Sequence, residues 1–238
     1  MNNVFLIRHA ESKANACPYI MRDTPDNQVE LSATGHQQAE EMSEATTTFL
    51  EEYDSDYRSL NIPTPVYIWC SPYKRIRQTV APLASTLREA GRNVFVTESV
   101  LLREMEFGYI NWSANETYPF ALLGRHHARY AKVNSIENGA RFFRRMPGGE
   151  SQADVLLRSE IFLQKMEKAT KLRSNAIHII VSHGITMRTL IMVLEDHPYE
   201  WFGEVNNPPN TGVYWVNHGY IWPENTQLKK NKEDERNI

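Results

Sequence analysis

The sequence predicts an α/β fold: a three-layer sandwich in which a mostly parallel central sheet is flanked by helices. Three observations point there. Short runs rich in β-branched and aromatic residues recur at 3–8, 65–70, 93–97, 177–182 and 213–217. Several are apolar at every position rather than at alternate ones, as strands covered on both faces must be. The stretches between them carry helical spacing, and strands alternating with helices join into a parallel sheet.

The first run, VFLIR, is apolar until it ends on Arg8 and His9. Polar groups at the tip of a buried strand cost roughly 1 to 3 kcal/mol if left unpaired, so a binding task is expected of them. Residues 33–53 form a helix, because Ala39, Met42, Ala45, Phe49, Leu50 and Tyr53 recur at three- and four-residue spacings and Ser32 or Thr34 stands ready to cap it. After the strand PVYIWC, residues 74–91 read as a second helix, bent or restarted at Pro82, which has no N–H to donate. The strand NVFVT follows. Residues 104–150 break the rhythm with many aromatics (Phe107, Tyr109, Trp112, Tyr118, Phe120, Tyr130, Phe142, Phe143) and clustered arginines (Arg125, Arg129, Arg141, Arg144, Arg145). They are expected to be a partly helical insertion with its own small core, lying over the sheet's edge and the tip of the first strand. Ser151-Gln152-Ala153-Asp154 has capping-box spacing, with Asp in place of the usual Glu or Gln, and opens a long helix over 151–173. The strand IHIIVS, a helix over about 185–195 and the strand VYWVN complete one domain over 1–225. The polar, highly charged residues 226–238 are expected to form a loose tail.

Composition narrows the function. Hydrophobic residues make up 41% and charged residues 23% of the 238, the balance of an ordinary globular chain. With a net charge of only −3 and scattered arginines, there is no electrostatic footprint for nucleic acid or an anionic membrane. Cys17 and Cys70 make neither a disulfide framework nor a metal pattern, which fits a reducing compartment. The apolar run at 4–7 stops at Arg8, too short for a signal peptide, and no segment approaches 18 apolar residues, so a cytoplasmic location is expected. The triplets at Asn111 and Asn115 match the glycosylation pattern by chance on this reading.

Three strand ends carry similar polar signatures: Arg8-His9, Ser71-Pro72-Tyr73-Lys74-Arg75 and Ser182-His183-Gly184. In a parallel sheet these tips converge on one crevice, off the carboxyl ends of the strands where ligands bind. Two histidines and two arginines there make a basin for a dianion, because guanidinium binds phosphate oxygens bidentately and stays charged. Neutral imidazole is also a nucleophile near pH 7, able to take a phosphoryl group and pass it to water.

The set RHAES with Asn15, LSATGHQQA, SPYKRIRQT, LREMEFG, PGGES and VSHG, in that order over about residues 4–215, resembles the histidine phosphatase superfamily, the phosphoglycerate-mutase-like proteins. TPDNQVELS, REMEFG and the run into MPGGESQADV resemble most a phosphatase subgroup found in plants, yeasts and bacteria. The resemblance implies a metal-independent phosphomonoesterase that uses no cofactor and acts on a small phosphorylated substrate. It implies that His9 is the phosphorylated nucleophile, that Arg8, Arg75 and His183 clamp the phosphoryl oxygens, and that Asn15 and Gly184 bind the same phosphate. Glu104 matches the acid that protonates the leaving group and then activates water, help typically worth about 10² to 10⁴ in rate. The alternatives are a phosphoglycerate mutase-type transfer and a catalytically silent phosphate-binding protein. Arg103 stands where mutases usually have asparagine, and the mutase's substrate-reading segment is not recognisable, so hydrolysis is the expectation.

Ala10 replaces the family's usual glycine, adding a methyl beside the nucleophile and, if the backbone there needs positive φ, strain. Glu106 is a second carboxylate that can share the acid role. Glu11 is expected to pair with a cation and Arg188 with a carboxylate, while Arg77 and Lys74 read as solvated helix residues. Capping and pocket roles explain Glu150-Ser151 equally well. Some of the clustered arginines are candidates to read a second acidic group on the substrate. His126-His127, His36, His178, His197 and His218 read as ordinary histidines rather than metal ligands.

Overall fold

The computed structural model describes residues 3–53, 64–108, 140–145, 148–170 and 176–223. Among them, six strands form one sheet: β1 (Val4–Arg8), β2 (Val66–Cys70), β3 (Val94–Glu98), β4 (Ile177–Ser182), β5 (Val213–Trp215) and β6 (Gly219–Trp222), in the order β3-β2-β4-β1-β5-β6. The first four run parallel, and β5 and β6 are antiparallel to their neighbours. The helices are α1 (Lys13–Ala16), α2 (Ala33–Tyr53), α3 (Lys74–Glu89), α4 (Ala140–Phe143), α5 (Gln152–Thr170), α6 (Gly184–Leu194) and α7 (Trp201–Glu204). The α/β architecture and its mostly parallel sheet are as the sequence predicts.

Alternate side chains of β1 serve opposite faces. Phe5 and Ile7 pack with Met42 and Leu50 of α2 and with Ile76, Leu83 and Leu87 of α3. Val4 and Leu6 pack with Phe162 and Met166 of α5 and with Met187, Leu190 and Ile191 of α6. This double burial is why β1 and β4 read as continuously apolar. β3, at the sheet's edge, is largely exposed, with Phe95 and Val96 facing solvent. A third cluster joins Met105, Phe142, Val155, Ile185, Met192 and Phe202, so the described ends of the 104–150 segment pack onto α5, α6 and α7.

Of the two readings at Pro82 the restart is excluded, since α3 runs unbroken past it; Pro82 sits amid the helix's buried stripe of Val80, Leu83 and Ala84, whose packing carries the chain past the missing N–H. β6 was not foreseen; it returns from β5 through Asn217 (φ 66°) and Gly219 (φ 97°), which take up the left-handed turn. Packing also accounts for the aromatics near the C-terminus, since Phe202 is buried and Trp201 and Trp222 lie against the cores. The expectations for 109–139, the glycosylation triplets, His126-His127, the end of the 151–173 helix and the charged tail fall outside the described residues. No described helix is long and apolar enough to cross a membrane.

Candidate active site

Register brings the predicted residues together. Arg8 lies beside Ser182 across β1 and β4, and Cys70 beside Val181 across β2 and β4, so the three strands end level. The next residues, His9, Ser71 and His183, therefore share one edge of the sheet. The His9 and His183 rings sit edge to face with centroids 5.3 Å apart.

His9 is buried, and its Nδ1 lies 2.7 Å from the Ala10 carbonyl. A carbonyl can only accept, so Nδ1 carries the proton and Nε2 keeps its lone pair. Burial, then the charges of Arg75 and Arg8, push the imidazole pKa well below its ordinary value, which keeps the ring neutral at pH 7. Its backbone is pinned by Ser182, whose carbonyl accepts from His9 N at 3.0 Å, and by Asn210, whose Nδ2 donates to the His9 carbonyl at 2.9 Å.

Arg75 is 4% exposed and donates in several directions. Its Nη1 donates to the Asp26 carbonyl at 2.6 Å and to Asp26 Oδ1 at 2.8 Å, and its Nη2 to Asp26 Oδ2 at 3.3 Å. Nη2 also lies 3.2 Å from His183 Nδ1. Guanidinium has no acceptor, so His183 Nδ1 must be the bare nitrogen, and Nε2–H donates to Ser71 Oγ at 3.0 Å. Burial and the neighbouring Arg75 hold His183 neutral as well. Arg8 gives Nη1 to the Pro208 carbonyl and leaves its Nε buried without a hydrogen-bond partner among the described residues. Burial lowers its pKa more than the Glu104 carboxylate raises it.

Asn15 is exposed on α1, the short helix that follows His9. Its Oδ1 accepts from Ser12 N and Oγ, both at 3.0 Å, and from Asn210 Nδ2 at 3.3 Å, which leaves its Nδ2 as the donor for an anion. Gly184 opens α6; a Cβ there would come within 2.9 Å of the Asn207 side chain, so glycine lets the 205–212 loop close over the strand tips.

Glu104 is held at the start of α6: its Oε1 accepts from Met105 N at 2.8 Å and its Oε2 from Ile185 N at 3.4 Å, with Thr186 Oγ1 3.5 Å from Oε1. Glu106 points elsewhere, into solvent, where its carboxylate accepts from Gly108 N. The segment is anchored by Glu150, which pairs with Arg103 and Arg158 and accepts from Glu106 N. Glu150 is thus a scaffold for Glu104, and Ser151 caps α5 through reciprocal bonds with Asp154.

Other expectations are resolved in the same terms. Ala10 is not at positive φ, and its methyl is buried with Leu31 and Ala39, so no strain attaches to it. Glu11 accepts from Ser32 Oγ at 2.6 Å rather than from a cation, because Ser32 is brought beside it by the start of α2. Arg188 holds the Phe202 and Val205 carbonyls and lies over the Phe202 ring. Arg77 pairs with Glu98 and Lys74 with Glu30. Of the clustered arginines, Arg145 is engaged by Asp154. His178 accepts from Trp69, and His197 stacks on Trp201. Asp26 was missed; its only signal was its place in TPDNQVELS, and nothing local ties that stretch to Arg75.

Residues 4–226 match the family profile of the histidine phosphatase superfamily, branch 1. The phosphoglycerate mutase-like protein AT74 of Arabidopsis thaliana is 33% identical over 226 residues, covering 88% of this chain and 63% of that protein. A second Arabidopsis protein of that name, AT74H, is 30% identical over 201 residues, covering 79% of this chain and 64% of that protein. The chain thus spans less than two thirds of the length of these curated relatives. Among solved structures, the mycobacterial glucosyl-3-phosphoglycerate phosphatase complexed with VO3 superimposes with a TM-score of 0.62 at 19% identity, over 96% of this chain and 97% of that one. A putative alpha-ribazole-5'-P phosphatase from Escherichia coli gives a TM-score of 0.59 at 20% identity, over 88% and 87%. Both structural neighbours carry phosphatase names.

Proposed function

The chain belongs to the histidine phosphatase superfamily, branch 1, and from that premise we propose that it hydrolyses a small phosphate monoester through a phosphohistidine on His9. The observation that carries the reading is the His9 tautomer: Nδ1–H is fixed on the Ala10 carbonyl, and a neutral, unprotonated Nε2 remains in a pocket edge shared with His183. In the first step Nε2 attacks phosphorus in line, the bond from phosphorus to the ester oxygen breaks, and Glu104 gives that oxygen its proton. In the second, water attacks phosphorus, the P–Nε2 bond breaks and returns its electron pair to His9, Glu104 takes the proton from the water, and inorganic phosphate leaves. Arg8 and His183 bear the charge on the equatorial oxygens, Arg75 contributes through its positive charge and its Nε–H, and Asn15 Nδ2 and the Gly184 end of α6 assist.

Hydrolysis of p-nitrophenyl phosphate in the presence of a chelator tests this. Turnover is expected to survive the chelator and to be lost in His9→Ala; activity that the chelator abolishes, or that His9→Ala retains, overturns the mechanism. The names of the curated relatives make a mutase the second reading, and conversion of 3- to 2-phosphoglycerate separates the two.

A further inference from the structure

We infer that Asp26 is a positioning residue of this site, one that orients Arg75 and, through it, selects the His183 tautomer. The inference rests on the phosphatase reading above for its consequence, but not for its geometry.

Asp26 belongs to the short turn Asp26–Gln28, which is on no strand tip and supplies no predicted site residue. Yet both of its acceptor groups, carboxylate and carbonyl, bond Arg75. The four N–H groups on the two Nη atoms are thereby occupied: both on Nη1 by Asp26, and those on Nη2 by Asp26 Oδ2 and His183 Nδ1. Only Nε–H is unassigned. A guanidinium held on one edge by a carboxylate cannot rotate about its Nε–Cζ axis without breaking two charge-assisted bonds, so the Nη2–H that reaches His183 has a fixed direction.

The turn is itself fixed to the helix that carries Arg75. Leu31 N donates to Gln78 Oε1 at 2.8 Å, and Gln78 lies three residues beyond Arg75, on the same face of α3. Val29 and Leu31 are each 1% exposed, so the strip from Asp26 to Leu31 is stapled at both ends and anchored by two buried side chains. Asp26 therefore has little freedom to leave Arg75.

The consequence passes along the chain of donors and acceptors. Asp26 aims Arg75 Nη2–H at His183 Nδ1, which makes Nδ1 the acceptor and leaves the single ring proton on Nε2, now directed at Ser71 Oγ. Nε2–H then holds Ser71 Oγ at the strand tips beside His9, and it is the one ring donor that can be passed from Ser71 to a phosphoryl oxygen bound there. Without the carboxylate, Arg75 can turn, and His183 is free to carry its proton on either nitrogen.

The test is Asp26→Asn, which keeps size and one acceptor but removes the charge and the second carboxylate contact, with Asp26→Ala as the fuller deletion. Histidine side-chain ¹⁵N resonances report the tautomer directly, and His183→Ala identifies the His183 signals. The wild type is expected to show a pyridine-like Nδ1 and a pyrrole-like Nε2 at His183, and both variants are expected to shift the two signals toward each other. The shift is expected to be larger in Asp26→Ala. With p-nitrophenyl phosphate, kcat is expected to fall, by up to about 10²-fold as for a misplaced catalytic group, while KM changes far less. His183 resonances identical to wild type in both variants overturn the inference, as does an unchanged kcat. A wild type with no turnover at all overturns the phosphatase reading instead, and the ¹⁵N result still stands or falls by itself.

Discussion

Gly35→Ala reaches the nucleophile from outside the site. A Cβ at position 35 would lie 1.9 Å from the Glu11 carbonyl oxygen, 2.9 Å from its carbon and 3.2 Å from its nitrogen, all backbone atoms. Contacts below 3.0 Å do not persist, so the two backbones must part by at least 1.1 Å, the difference between 3.0 and 1.9 Å. The Glu11 loop has little slack for this. Ser32 N donates to the Glu11 carbonyl at 2.9 Å, Ser32 Oγ to its carboxylate at 2.6 Å, and Glu11 N to Gln38 Oε1 at 2.9 Å. Overpacking of this kind costs about 1 to 3 kcal/mol, and a broken hydrogen bond adds about 1, so a loss of about 2 to 4 kcal/mol is expected. That is short of the roughly 5 to 15 kcal/mol that holds a domain together, so the variant should remain folded. Because Glu11 is two residues from His9, a shift of about 1 Å there should also lower kcat, by about 10²-fold. Urea unfolding followed by tryptophan fluorescence, together with p-nitrophenyl phosphate kinetics, measures both. Gly203→Ala is the control: among the described residues nothing lies within 4 Å of its Cβ, so stability should change by no more than about 1 kcal/mol. A Gly35→Ala protein that matches wild type in both midpoint and kcat would refute the reasoning.

Ala10→Gly restores the residue usual in the family and is expected to destabilise rather than relieve strain. It removes a fully buried methyl and adds backbone freedom in the unfolded chain, together about 1 to 2 kcal/mol, with kcat unchanged; a raised urea midpoint would contradict this. Stability is also expected to fall in acid. His9 and His183 are held well below the usual imidazole range and His178 is lowered to about 4, chiefly by burial in each case. The unfolded chain takes up these protons below about pH 6.5 and the native state does not, so stability falls as pH drops through that window, by up to about 1.4 kcal/mol per pH unit for each histidine. The stability these groups contribute is fully present above about pH 6.5. A urea midpoint that stays flat between about pH 7 and about pH 5 would rule this out.

The relatives' names and the geometry bear on different parts of the question. The His9 tautomer, the His183 tautomer and the Glu104 carboxylate at the start of α6 are properties of this chain, and they are what the proposed chemistry requires. Neither the names nor this geometry chooses between water and a second substrate as phosphoryl acceptor in the proposed reaction, which is why the mutase assay belongs beside the phosphatase assay.

Local order was written plainly in the sequence. The five apolar runs, the helical spacings between them and the Ser151-Asp154 box depend on neighbours within a few residues, and the strand ends named Arg8, His9 and His183 because polar residues interrupt apolar runs there. Parallel pairing then sufficed to bring the tips together. What tertiary structure alone decided are the contacts between distant segments: Asp26 on Arg75 across 49 residues, His183 on Ser71 across 112, Asn210 on the His9 carbonyl across 201. The need for glycine at 35 and the ease of alanine at 10 belong to the same class, since both depend on what another segment places beside the Cβ. A hydrogen bond's partner is set by where folding brings the two backbones, and side-chain spacing along one segment holds no record of the other.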